Sequence, residues 1–155
     1  MTTRATLKLH VHKRVRAWAP PRAELAQWAS AALGARAAGR ALGVALVGAA
    51  ESRRLNARFR GRHRPTNVLS FAPAPLPAAA RGLRPLGELV ICPRVLAVEA
   101  RAQAKTLRAH WAHLVVHGAL HLAGYDHARA ADARRMERRE IAVLRRLGFA
   151  NPYRG

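Results

Sequence analysis

Acidic residues and cysteine are what this sequence is short of. Only 8 of its 155 residues are Asp or Glu, against 28 Lys and Arg, which leaves a formal net charge of +20. Such an imbalance disfavours a cationic partner and favours a polyanion, with nucleic acid preferred over an anionic membrane surface. A single cysteine, Cys92, excludes an intrachain disulfide and any Cys₄ or Cys₂His₂ zinc site, and it fits a reducing, cytoplasmic compartment. It lies in the apolar run LVIC, where a cysteine behaves as a small buried hydrophobe. Long apolar runs are also missing. The uncharged stretch 109–125 contains four histidines and two glycines and falls short of the roughly 20 apolar residues of a membrane span, so no membrane partner is expected.

Half of the residues are nonetheless apolar, enough to exclude a disordered chain, and the length fits one domain over 1–155. The basic, acid-poor start MTTRATLKLHVHKR resembles a transit peptide in composition. Its alternation of Leu7, Leu9 and Val11 with Lys8 and His10 reads better as a first strand, so the fold is expected to begin at once. A helix follows, entered through Pro20 and Pro21 and closed by Gly39. Then come a strand at 41–48, a short helix at 51–61 and a strand at 66–73. The proline-rich segment 73–86 predicts a long mobile loop, and GELVICP a strand after it. Helix resumes at Pro93, with a break near Thr106, and runs to Gly124. A last amphipathic helix covers about 132–147, with Met136, Val143, Leu144 and Leu147 on its apolar face. The expected fold class is α/β (α+β): a small mixed β-sheet covered by helices around a central helix, which the histidines described next mark as zinc-binding.

Against this background HGALHLAGYDH (117–127) concentrates three histidines in an apolar setting. Residues four apart stack about 6 Å apart on one helix face, so His117 and His121 project together. Gly124 suits a helix stop, after which Tyr125 and Asp126 can turn the chain and return His127 to the same point. Three imidazoles with an open fourth position form a zinc site of the catalytic kind, one ion per chain. The competing reading is three core histidines, but each buried imidazole then needs its own hydrogen-bond partners. His113 is one turn earlier and about 12 Å along the axis from His121, which suits a substrate-facing or supporting role rather than ligation. His110 reads as a surface or structural residue. The spacing H-x₃-H-x₅-H also matches the zinc helix of metzincin peptidases, yet their general-base Glu is replaced here by Gly118, which argues against proteolysis.

HGALHLAGYDH closely resembles the H-G-x-L-H-L-x-G-Y-D-H signature of the YbeY family of bacterial zinc-dependent endoribonucleases, associated with ribosomal RNA maturation. LNARFRGRHRPTNVLSF (55–71) is similar to that family's L-N-x-x-[YF]-R-G-x-x-x-P-T-[DN]-V-L-S-F block, GELVIC to its G-D-I-x-I strand, and LGFANPY to its tail. The resemblance implies an α/β fold with a central zinc helix and assigns His117, His121 and His127 as ligands. It places the family's substrate-contacting arginine at Arg60 and a recurrent family histidine at His113. Glu88 stands where the family more often has Asp, and Arg62 where it usually has Lys.

The function so implied is a single-strand-type endoribonuclease acting in ribosomal RNA maturation and quality control, with ribosomal RNA and the small ribosomal subunit as partners. Zinc would acidify a bound water to a pKa of about 7, and Arg60 would contact the phosphate in the transition state. Arg53, Arg54, Arg58, Arg60, Arg62 and Arg64 would form an electrostatic track, with Arg58 and Arg62 beside the site. Asp126 is the expected orienting partner of a ligand imidazole. The alternatives are a metal-containing ribosome-assembly or RNA-binding factor and a metzincin-like zinc peptidase.

Overall fold

The computed structural model describes residues 7–73 and 84–154. Four strands, β1 (Lys8–Lys13), β2 (Arg40–Leu46), β3 (Val68–Phe71) and β4 (Arg84–Ile91), form one sheet in the order β1-β2-β4-β3. β1, β2 and β4 run parallel, and β3 pairs antiparallel with β4. The helices are α1 (Arg22–Leu33), α2 (Ala49–Arg60), α3 (Pro93–Ala102), α4 (Leu107–Leu122) and α5 (Ala130–Arg146). The mixed α/β architecture is the expected one.

Side-chain alternation sorts the strands into two faces. Leu42, Val44 and Leu46 of β2 join Leu89 and Ile91 of β4 in the main core, with Trp28 of α1, Trp111 and Leu120 of α4, and Met136 of α5. Ala45, Val47, Leu69 and Val90 form a smaller cluster against Leu55 of α2 on the other face. No described helix is long and apolar enough to cross a membrane.

α4 is the central element, in contact with α1, α3, α5, β3 and β4. Thr106 starts it, its hydroxyl accepting the Ala109 N–H at 3.1 Å, and this cap makes the expected break real. Its apolar surroundings on nearly every side account for a sequence with little amphipathic pattern. Gly118 sits where the helix meets the sheet. A Cβ built there would lie 2.7 Å from Leu89 Cδ2, so the residue is fixed by the closeness of α4 to β4.

Several boundaries differ from expectation: β2 covers Arg40–Leu46 rather than 41–48, α2 Ala49–Arg60 rather than 51–61, and β3 Val68–Phe71 rather than 66–73. α1 ends at Leu33, with Gly34 already at φ +58°, and one 3₁₀ turn (Gly34–Ala37) fills the span to Gly39. β4 begins at Arg84 rather than Gly87, because an irregularity between Ala41 and Leu42 lets β2 pair with Pro85 as well as Gly87. Three residues of the expected loop are therefore strand, and its centre, 74–83, lies outside the described residues.

Candidate active site

The last turns of α4 place His117 and His121 on one side of the helix. Gly124 then takes φ +106°, a conformation costly for any other residue, while the Tyr125 N–H closes the helix on Leu120 O at 3.0 Å. The chain turns at Asp126, whose Oδ1 accepts the backbone N–H groups of His127 (2.7 Å) and Ala128 (3.1 Å). Those two bonds hold the Asp126 carboxyl below its ordinary range. The turn brings the His127 ring to 5.7 Å from that of His117 and 5.6 Å from that of His121, centre to centre.

In a tetrahedral site with Zn–N near 2.1 Å, ring centres would be about 5 Å apart, somewhat closer than found here. Consistent with that gap, no set of three His, Cys, Asp or Glu side chains among the described residues is drawn tightly enough to clasp an ion. The donor chemistry nevertheless fits a metal. His121 Nδ1 is buried without a hydrogen-bond partner, and burial followed by the neighbouring His127 and His117 lowers the His121 pKa, favouring the neutral, ligating form. His117 Nδ1 is hydrogen-bonded to Glu140 Oε1 at 2.5 Å, which leaves its Nε2 for an ion.

Glu140 of α5 is the functional residue that sequence reasoning missed. It is 0% exposed and also accepts a hydrogen bond from the Tyr153 hydroxyl. Burial alone would raise its pKa, but the bonds from His117 and Tyr153, followed by charge interactions with His117 and His113, hold the carboxyl below its usual range. The same burial and the facing carboxylate push the Tyr153 hydroxyl well above its ordinary value. Asp126, the expected orienting partner of a ligand imidazole, has its Oδ1 bonded to the main chain, and the carboxylate bonded to a candidate ligand imidazole is Glu140. The signal was present but quiet: an acid at i+4 from Met136 and i−3 from Val143, inside an apolar stripe. Tyr153 had no signal beyond its place in LGFANPY.

His113 lies one turn before His117, with Nε2 3.3 Å from Tyr153 Oη and 3.8 Å from Glu140 Oε1. Burial lowers its pKa to about 4, despite the opposing pull of Glu140, so the ring is neutral near pH 7. His110 is buried and bonded to Glu99 Oε1 at 2.9 Å, a structural rather than a surface residue.

These groups share a cavity of about 670 Å³. His113, His117 and His127 lie on its wall together with Arg60, whereas His121, Arg58 and Arg62 do not. Arg60, the last residue of α2, reaches it, and the loop that follows is pinned back onto the helix by two buried polar residues. Ser52 Oγ bonds the Thr66 carbonyl and N–H (3.1 and 2.9 Å), and Asn56 Nδ2 bonds Arg64 O at 2.8 Å. Arg58, Arg60 and Arg62 are exposed, and the Arg58 guanidinium stands 5.4 Å from the Phe59 ring centre.

The family model described as Endoribonuclease YbeY matches residues 10–148. The chain belongs to the YbeY family. An endoribonuclease YbeY of Alkalilimnicola ehrlichii is 52% identical over 141 residues, spanning 90% of this chain and 85% of its own. That of Bordetella pertussis is 52% identical over 86% of this chain and 87% of its own, and that of Laribacter hongkongensis 45% identical over 95% and 89%. The solution structure of TM1509 from Thermotoga maritima shares the fold, with a TM-score of 0.54 at 21% identity over 90% of this chain and 91% of that one. The YbeY assignment also accounts for Gly118. A metzincin glutamate at that position would have to pass through Leu89.

Proposed function

We propose that His117, His121 and His127 hold one zinc ion and that this YbeY family member cleaves single-stranded RNA at the mouth of the cavity. Zinc in a three-imidazole site supplies Lewis acidity toward a phosphoryl oxygen or a water. The chain's own groups do the rest. Glu140 fixes the His117 ring and its tautomer, and Tyr153 fixes Glu140. Arg60, exposed on the same wall, offers a guanidinium fork to the scissile phosphate as its negative charge grows. His113, kept neutral by burial, can donate or accept one hydrogen bond toward substrate without adding charge. The exposed Arg53, Arg54, Arg58, Arg62 and Arg64 extend the positive surface along which the backbone lies. The observation that carries this reading is the gathering of three imidazoles beside Arg60, one of them backed by a fully buried carboxylate.

We place the substrate in ribosomal RNA, with the small ribosomal subunit as partner, a single domain over 1–155 and a cytoplasmic location. Family membership, the +20 charge and the lone cysteine support that assignment. The test compares wild type, His121→Ala and Arg60→Ala on ribosomal RNA, with zinc and with a chelator. His121→Ala should lose both zinc and cleavage. Arg60→Ala should keep zinc and lose at least about tenfold in rate. Full cleavage by His121→Ala in chelator would contradict the metal-dependent proposal, whereas absence of cleavage by zinc-loaded wild type would favour an RNA-binding assembly role.

A further inference from the structure

The cavity continues past the imidazoles to walls formed by Asn67, Glu99, Gln103, Lys105 and Tyr153. His110, the residue that holds Glu99, precedes His117 by two turns of α4, about 10 Å along the axis. Ring centres 6.3 Å apart from His110 to His113, and again from His113 to His117, follow the same course. That length is on the scale of one nucleotide from phosphate to base edge.

A carboxylate repels phosphate, so its presence in a cleft for RNA needs a separate reason. Glu99 is fixed firmly: Oε1 is bonded to His110 Nε2, and Asn67 Nδ2 donates to both oxygens at 3.2 Å. Asn67 is itself held by accepting the Val68 N–H at 2.6 Å. Burial raises the Glu99 pKa, but the bonds from His110 and Asn67 outweigh it, and the carboxyl stays below its usual range. It is thus ionised and can only accept. Oε1 has two donors, whereas Oε2 has one, which leaves Oε2 capacity for another. The Glu99 side chain is 30% exposed.

We propose that this end of the cavity is a nucleobase subsite, in which Glu99 Oε2 accepts an N–H from the Watson–Crick edge of an unpaired base beside the scissile phosphate. Exposed Tyr153 adds a ring face on the same cavity for stacking. A carboxylate ranks the bases. Guanine presents two adjacent N–H donors, and adenine and cytosine each present an amino group. The single edge N–H of uracil is flanked by two carbonyl oxygens that the carboxylate repels. Guanine should bind best and uracil worst.

This inference rests on the RNA-cleaving reading, so its test is read by binding rather than by cleavage. Labelled 2′-O-methyl hexamers of uridine, either unmodified or with one central guanosine, adenosine or cytidine, are titrated against the full chain, once with zinc and once with chelator. Wild type should bind the guanosine hexamer about tenfold more tightly than the all-uridine one. Glu99→Gln keeps an oxygen for His110 but replaces the free acceptor with a donor or an uncharged group. It should bring the two affinities within twofold, with no loss on all-uridine RNA and an unchanged melting temperature. Equal affinities in wild type, or an unchanged ratio in a folded Glu99→Gln protein, would overturn the subsite. Should Glu99→Gln fail to fold, the wild-type ranking of the four bases decides by itself. Absence of RNA cleavage by the zinc-loaded protein would instead count against the nuclease reading and leave the base ranking standing.

Discussion

Glu140 shows how one side chain can prepare a histidine for ligation. Its carboxylate is buried among apolar residues of α5, which is tolerable only because His117 and Tyr153 donate to it. Glu140→Gln keeps the shape and removes the charge, so zinc affinity should fall about 10- to 100-fold, read by competition with a chromophoric chelator. An unchanged affinity would show that the carboxylate does not support the metal. His113 makes a different prediction, on stability. Its folded pKa, about 4, is below the ordinary value of 6.5, so between those values the unfolded chain binds a proton that the folded chain refuses. Stability of the zinc-free protein should therefore be complete above pH 6.5 and decline toward pH 4, by at most about 3 kcal/mol from this residue. His121, lowered in the same direction, adds to the slope. Urea unfolding of wild type and His113→Gln across that range should give a shallower decline in the variant; parallel curves would contradict the assignment.

At the scale of elements, α4 was legible because its signals are local: a threonine cap, two histidines one turn apart and a glycine stop. The reason for Gly118 was not legible, since it depends on Leu89 in a strand 29 residues earlier and on how closely helix and sheet meet. The two readings of that glycine predict opposite signs. On an open helix face Gly→Ala stabilises by about 1 kcal/mol. Against Leu89, the added methyl at 2.7 Å should destabilise by about 1–3 kcal/mol in denaturant unfolding. Glu140 was missed for the same long-range reason: α5 reads as an outer basic helix until His117 is placed opposite it. The early end of α1 and the early start of β4 are likewise set by partners, a 3₁₀ turn and an irregular β2–β4 register, which periodicity alone does not register.

Over the whole molecule, composition pointed to a polyanionic partner, and the histidine motif to one wall of the cavity. The cavity that joins them comes from separate parts of the chain: the end of α2, the start of β3, the end of α3, α4 with the turn after it, and the C-terminal tail. Ser52 and Asn56 on α2 pin the loop that follows Arg60, and Lys105 Nζ anchors the tail through the Pro152 carbonyl at 2.5 Å. In the proposed reading the positive charge would recruit RNA from a distance, while the imidazoles and Arg60 would act only at contact. The central claim is that cleavage depends on one ion held by His117, His121 and His127. It is tested most directly by stripping the full chain of metal and titrating zinc back while following cleavage of ribosomal RNA. Activity should be absent at the start, rise linearly and level off at about one equivalent per chain. Full activity in the stripped protein, or none at saturating zinc, would contradict it.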